Sequence, residues 1–177
     1  MLDLLMKSLK GASIEEVGKL PREVCLAICD KIKSSCENLI RDIGEEKTRL
    51  IIRYHPHLAY TYALENSQKR FEEAEPEILK NRDLAYAYAV YFIKGRWPEA
   101  EPIFLTHPMY AYLYAKYILK KRWPEAEPLI LQSGSSENIL RYATEVIKGR
   151  WPEAEPILEK FNDTNEFAYY SFTSNLL

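Results

Sequence analysis

The heptapeptide RWPEAEP occurs at residues 96–102, 122–128 and 150–156, and a divergent copy, RFEEAEP, occupies residues 70–76. Successive copies begin 26, 26 and 28 residues apart. A tyrosine recurs with a matching period, as Tyr62, Tyr88, Tyr114, Tyr142 and Tyr170. Two landmarks that keep the same period predict a repeat protein. Repeats 1 to 4 begin at His55, Asn81, His107 and Ser135, and a final half-repeat begins at Asp163.

Each repeat opens with an amphipathic segment. In repeats 2 to 4 its apolar residues follow the spacing i, i+3, i+4, i+7, i+8, which predicts a helix of roughly 12 residues. In repeat 1 this stripe decays to Ala59, Tyr62, Ala63, Asn66 and Ser67. The residue that begins each repeat lies at the expected N-cap position, where Asn, Ser and Asp are favoured. The apolar stripe is Ala85, Tyr88, Ala89, Phe92 and Ile93 in repeat 2; Ala111, Tyr114, Ala115, Ile118 and Leu119 in repeat 3; and Ile139, Tyr142, Ala143, Val146 and Ile147 in repeat 4.

RWPEAEP follows this helix and is predicted to form a corner. Gly95 and Gly149 lie where a left-handed residue commonly ends a helix. Proline does not continue a helix but does open one, so a second helix of roughly eight residues begins at Pro98 or near Glu99. The sequence leaves that choice open. Trp97, Trp123 and Trp151 are the predicted structural joints that pack one repeat onto the next.

The predicted fold is all-α. It is an α-solenoid of about four 26–28-residue repeats, in which each repeat buries its apolar face against its neighbours. Residues 54–177 form the repeat region and end in the half-repeat. Residues 1–53 lack the motif but keep helical periodicity and a capping box at Ser13, SIEE. They are interpreted as a helical N-terminal cap or as degenerate repeats.

Composition excludes several classes of protein. A net charge of −2 and a pI near 6.0 argue against a dedicated nucleic-acid binder. No apolar run approaches the 18 residues of a membrane span, and the first residues do not form a secretory signal. Cys25, Cys29 and Cys36 form an odd set, which favours a reduced chain in the cytoplasm.

Catalytic and metal-binding patterns find little support. The three cysteines with His55 or His57 match no common zinc spacing, and core packing explains them better. Glu99 and Glu101 point to different sides of a helix, so they are badly placed for shared acid–base work. Phosphate-loop, nucleophile-elbow and HExxH motifs are missing from the sequence. We expect no enzyme activity, no metal and no cofactor.

Tyrosine is unusually abundant, with 13 in 177 residues. The off-stripe tyrosines either line a second packed face or form an aromatic groove beside basic residues, a mixture typical of interface hot spots and of stacking sites for flat ligands. Repeat 4 has Leu140 and Glu145 at the equivalent positions, so the groove is expected on repeats 2 and 3. The candidate binding face comprises Tyr86, Tyr91, Tyr112, Tyr117, Arg96, Arg122, Lys116 and Lys120.

The motif KGRWPEAEP, at residues 94–102 and 148–156, resembles the KGRWPEAEP-repeat proteins of tailed phages and large DNA viruses. The resemblance covers residues 54–177 and brings no catalytic residue with it. It implies a viral protein in the cytoplasm of an infected cell. The sequence therefore predicts a non-catalytic interaction protein that binds a host or viral protein, with countering host defence as one role. The alternative is a protein that sequesters a nucleotide-like small molecule on the central tyrosine, arginine and lysine residues.

Overall fold

The computed structural model describes residues 2–32, 36–67 and 69–160, and all regular structure in these ranges is helical. The all-α prediction is therefore confirmed. The chain divides into two compact units, Met1–Tyr88 and Ala89–Leu177. The predicted boundary between residues 53 and 54 stays a prediction. Asp163, Tyr170 and the half-repeat lie outside the described residues.

The first unit begins with five helices that precede repeat 1. The capping box at Ser13 is confirmed, since the Ser13 and Glu16 side chains each accept the other's backbone N–H at 3.1 and 2.7 Å. Helix α5 packs against α2, α3, α4 and α6, so it lies at the centre of this unit. The helices are α1 Leu2–Gly11, α2 Ile14–Gly18, α3 Arg22–Ile32, α4 Glu37–Ile43, α5 Glu45–Ile52, α6 Pro56–Tyr62, α7 Glu75–Ile78 and α8 Arg82–Tyr88.

The second unit contains the remaining helices. The first helix of repeat 3, α10, packs on the short helix α11 of its own repeat and on α12, the first helix of repeat 4. Neighbouring repeats in this unit therefore contact each other directly. The helices are α9 Glu101–Phe104, α10 Pro108–Leu113, α11 Glu127–Gln132, α12 Ser136–Tyr142 and α13 Glu155–Leu158.

The first helix of every repeat ends in a π-helical turn that the periodicity does not predict. These turns are Ala63–Ser67, Ala89–Ile93, Tyr114–Leu119 and Ala143–Ile147. In repeat 3, the six residues of α10 and the six of the turn make the predicted 12. Bonding from i to i+5 widens the helix, so the α-helical register is not kept through the turn. The first three stripe positions are buried, whereas Ile118, Leu119 and their equivalents in repeats 2 and 4 are only half-buried.

The prediction that Gly95 and Gly149 adopt the left-handed conformation is wrong. The preceding lysines take it instead: Lys94, Lys120 and Lys148 have φ values of 53°, 54° and 57°. The π-helical turn places this residue one position earlier, because the Lys94 and Lys148 N–H groups bond to the carbonyls of Ala89 and Ala143, five residues back, at 2.8 Å.

In repeat 2 the second α-helix begins after both predicted starts and, with four residues, is shorter than the predicted eight. Pro98–Ala100 form a 3₁₀ turn, and α9 follows from Glu101. Pro102 therefore lies in the first turn of α9, where its missing N–H removes no helical bond. The same arrangement places Pro128 and Pro156 in the first turns of α11 and α13.

RWPEAEP forms a corner closed by a hydrogen-bond network. Arg96 donates from Nε and Nη2 to the two carboxylate oxygens of Glu101, at 2.7 and 3.0 Å. The Tyr114 hydroxyl of the next repeat donates to Glu101 at 3.4 Å and accepts the Trp97 N–H at 2.7 Å. Equivalent contacts join Arg70, Glu75, Phe71 and Tyr88, and Arg122, Glu127, Trp123 and Tyr142. In repeats 1 to 3 the motif thus ties the corner to the first helix of the following repeat.

The aromatic residue of the motif is buried in every repeat, as Phe71, Trp97, Trp123 and Trp151. In repeat 3 the Trp123 ring packs on Tyr114 of its own repeat, with centroids 5.2 Å apart. Trp151 and Tyr142 repeat this contact at 5.1 Å, and Phe71 and Tyr62 at 5.5 Å. In repeats 1, 3 and 4 the ring thus packs on the tyrosine of its own repeat, and in repeats 1 to 3 the backbone N–H of the same residue bonds to the next repeat.

The N-cap prediction holds for most of the described repeats. Side-chain atoms of His55, Asn81 and Ser135 accept backbone N–H groups three residues later, at 3.2, 3.1 and 3.3 Å. His107 has the extended N-cap conformation but makes no such side-chain bond.

Candidate functional site

The four off-stripe tyrosines do not share one environment. Tyr112 is buried, with 3% of its surface exposed, and Tyr86 is half-buried. Tyr91 and Tyr117 are 57% and 51% exposed. Neither alternative, a second packed face or an exposed aromatic groove, describes the whole set. Tyr112 packs inside the protein, whereas Tyr91 and Tyr117 present their rings to solvent.

Arg96 and Arg122, the two arginines of the candidate face, belong to the corner network. Each guanidinium makes two hydrogen bonds to one glutamate, at 2.7 and 3.0 Å in repeat 2 and at 2.8 Å twice in repeat 3. These bonds occupy the two N–H donors with which arginine would bind a carboxylate or phosphate of a ligand. A structural role therefore accounts for both.

Lys116 forms a compact cluster with residues of repeats 3 and 4. Its Nζ pairs with the Glu145 carboxylate, lies 3.2 Å from the Tyr112 hydroxyl, and stands 4.6 Å from the centroid of the Tyr117 ring. The Tyr112 hydroxyl also donates to Glu145. Glu145 thus receives both polar groups that repeat 3 presents here.

Contacts within the cluster shift the pKa values of Tyr112, Lys116 and Glu145. Burial and the bond to Glu145 raise the pKa of Tyr112, and the bond to Glu145 raises the pKa of Lys116. Burial alone would raise the pKa of Glu145, but the bonds from Lys116 and Tyr112 outweigh it and lower that pKa. At neutral pH the cluster therefore holds an ionised lysine–glutamate pair.

This cluster forms one wall of an open groove of about 470 Å³ within the second compact unit. The groove brings Lys116, Tyr117 and Lys120 of the predicted face together. Tyr112 lies outside this lining, although its hydroxyl bonds with Glu145 and Lys116, and Arg96 and Arg122 line a smaller cavity of about 130 Å³. The groove is lined by Ala115, Lys116, Tyr117, Lys120, Lys121, Glu145, Val146 and Lys148.

The groove lies on repeats 3 and 4, one repeat further along the chain than the sequence predicts. Glu145 was expected to end the candidate face, yet its carboxylate bonds to Lys116 and completes the groove. The prediction also missed Lys121 and Lys148. Two signals point to them: Lys148 is the repeat-4 equivalent of Lys120, and Lys121 replaces the glycine found in repeats 2 and 4.

The π-helical turns create this arrangement. The groove residues 115–117 and 145–146 belong to the turns of repeats 3 and 4, and these two turns contact each other. Lys120 and Lys148 follow them in the left-handed conformation. Such turns inside helices are frequent at functional sites.

Two cavities of similar size in the first unit lack the aromatic and basic residues of the groove. One, of about 430 Å³, is lined by Glu45, Glu46, Arg49 and Glu73 with Ile14 and Leu50. The other, of about 420 Å³, lies beside α1 and α2, and its lining includes Ser8 and Glu16 among apolar residues. Neither combines an aromatic ring with an excess of positive charge.

The cysteines lie in the core of the first unit. Cys25, Cys29 and Cys36 are buried thiols, and burial raises the pKa of Cys29 to about 12 and of Cys36 to about 11.

Over the part of the chain that the structure describes, no three His, Cys, Asp or Glu side chains are grouped to hold a metal ion. Every helix in the same residues falls short of the length and apolar character that a membrane crossing requires.

Comparisons with known proteins found no match among family models, curated proteins or solved structures. The resemblance to the KGRWPEAEP-repeat proteins therefore stays a prediction.

Proposed function

We propose that this chain is a non-catalytic interaction protein, built as a short α-solenoid, that binds a protein partner through the surface of its central repeats. The observation that carries the proposal is the groove on repeats 3 and 4, where Tyr117 and exposed lysines surround an open cavity. Exposed tyrosine is enriched at protein interfaces, and a lysine-rich surface complements an acidic segment.

The packing of the repeats supports the solenoid part of the proposal. Within the second unit, α10 packs on α12, and the π-helical turns of successive repeats contact one another. The same corner network recurs in three described places, which is what a stack of equivalent repeats requires. Residues 1–53 would then act as the cap.

The motif extends the proposal to a viral protein. If the resemblance at KGRWPEAEP holds, the chain acts in the cytoplasm of an infected cell, and its partner is a host or viral protein. Blocking a host defence is one role that such a complex would serve.

The test is co-purification from infected cells followed by native mass spectrometry. We expect a complex heavier by one protein, lost in the Tyr117→Ala/Lys121→Glu variant and kept in a Lys31→Glu control from the first unit. A complex that survives the groove variant would rule out this surface as the binding face.

A nucleotide-like small molecule is the second candidate. The specific observation in its favour is the volume of about 470 Å³, which lies within the range of small-molecule sites. The same native mass spectrum discriminates between the candidates, because a bound small molecule adds only a few hundred daltons and absorbs ultraviolet light.

A further inference from the structure

The groove carries an excess of positive charge. It is lined by Lys116, Lys120, Lys121 and Lys148 against a single carboxylate, that of Glu145. Lys116 is paired with Glu145, but the other three lysines are exposed and form no ion pair among the described residues. Like charges gathered in one groove repel each other, so a bound anion would stabilise the arrangement.

The amount of unpaired positive charge in the groove indicates which class of anion would neutralise it. Three unpaired lysines carry three positive charges, whereas one phosphoryl group carries about −1.5 to −2 at neutral pH. A single phosphate monoester therefore leaves the groove positively charged. Two or more phosphoryl groups are needed to neutralise it.

The Glu145 carboxylate already occupies the place in the groove that a ligand anion would take. It accepts a hydrogen bond from the Tyr112 hydroxyl, which is buried beside the groove, and pairs with the half-buried Lys116 ammonium. Repeats 2 and 3 have Tyr91 and Tyr117 at the equivalent positions, so the acidic residue is not required by the helix itself. A ligand phosphate would be repelled by this carboxylate and would compete with it for both donors.

We propose that the groove binds a compound with two or more phosphoryl groups, and that Glu145 limits the affinity by competing for Lys116 and Tyr112. The proposal rests on the small-molecule candidate above and names its ligand class. The lysines hold the phosphoryl groups, and Tyr117, half exposed beside them, offers its ring to any base that the compound carries.

The first measurement is calorimetric titration of the full chain with inorganic triphosphate at fixed ionic strength. We expect the wild type to bind and Glu145→Gln to bind about tenfold tighter, because one competing negative charge is removed. Lys121→Glu/Lys148→Glu should abolish binding. The matched control is Glu137→Gln, an exposed glutamate of α12 that pairs with Arg141 outside the groove and should leave the affinity unchanged.

The outcomes separate the levels of the proposal. Equal affinity of the wild type and Glu145→Gln would overturn the role of Glu145 while keeping the anion site. Binding that survives the double lysine variant would overturn the site. No binding by either the wild type or Glu145→Gln would overturn both the inference and the small-molecule candidate, and would leave the protein-binding proposal standing. Lys121→Gly, which copies the residue of repeats 2 and 4, weakens binding without charge reversal and guards against misfolding of the double variant.

A second titration identifies the source of the phosphoryl groups. If the ligand is a nucleotide, adenosine triphosphate should bind more tightly than inorganic triphosphate, and Tyr117→Ala should remove the difference. If it is an inorganic polyphosphate chain, the two probes should bind alike and Tyr117→Ala should have no effect. Adenosine alone is expected not to bind in either case.

Discussion

Three lysines hold a backbone conformation that suits glycine. Lys94, Lys120 and Lys148 all have positive φ, which costs an L-residue about 1–2 kcal/mol. The strain recurs because a π-helical turn ends at each of them. Near a helix C-terminus the lysine charge offsets part of this cost.

Replacing Lys120 by glycine should therefore raise the free energy of unfolding by up to about 1 kcal/mol, measured by urea denaturation. The matched control is Lys121→Gly, because Lys121 has an ordinary φ. That change should not stabilise the protein. If both variants behave alike, strain at residue 120 is not the cause.

The tyrosine of the corner network acts as both acceptor and donor. In Tyr114→Phe the buried Trp97 N–H loses its acceptor, and Glu101 loses one donor. We expect a loss of about 1–3 kcal/mol in the free energy of unfolding, since a buried N–H is left without a partner. Tyr91→Phe, at an exposed position, should change stability by less than about 0.5 kcal/mol. A Tyr114→Phe variant as stable as the wild type would show that this hydrogen-bond network does not stabilise the fold.

At the scale of the element, RWPEAEP is a corner whose aromatic ring fills the repeat. Trp123→Ala should lower the free energy of unfolding by about 3–5 kcal/mol, because it leaves a cavity beside Tyr114. Trp123→Phe should cost clearly less, since Phe71 fills the same position in repeat 1. Thermal unfolding followed by circular dichroism measures both, and equal losses would show that ring size is unimportant there.

The sequence predicts the helices better than their ends. The apolar periodicity predicts the first helix of each repeat and its length, and the prolines mark the corner. The π-helical turn is not visible, because the stripe residues Ile118 and Leu119 keep α-helical spacing although the turn rotates them out of the core. For the same reason the sequence predicts the left-handed residue at Gly95 and Gly149, whereas it lies one position earlier, at Lys94 and Lys148.

At the scale of the whole molecule, the corner networks connect stability to pH. Burial raises the pKa of Tyr114 to about 12 and also raises the pKa of Tyr88 and Tyr142. An unfolded tyrosine has a pKa near 10. Between about pH 10 and 12 the unfolded chain therefore binds fewer protons than the folded one, so stability falls as pH rises.

Denaturation with urea at several pH values, with tyrosinate absorbance as a second probe, measures this effect. The slope should be smaller in Tyr114→Phe than in the wild type, because one of the shifted groups is removed. A wild-type stability that is constant from pH 10 to 12 would contradict the burial of these hydroxyls.

The candidate site was only partly predictable. Tyr117, Lys116 and Lys120 stand out in the sequence as aromatic and basic residues off the apolar stripe. Arg96 and Arg122 look equally available, but their pairing with glutamates five residues later depends on the geometry of the corner. Glu145 looks like an interruption, because only the contact between the two π-helical turns brings it to Lys116.

The groove on repeats 3 and 4 is the proposed binding surface of this chain. Native mass spectrometry of the protein purified from cells that express it, compared between the wild type and Lys121→Glu/Lys148→Glu, tests this assignment most directly. We expect an added mass on the wild type, of a protein or of a few hundred daltons, that is missing from the folded variant. An added mass that the variant retains would contradict it.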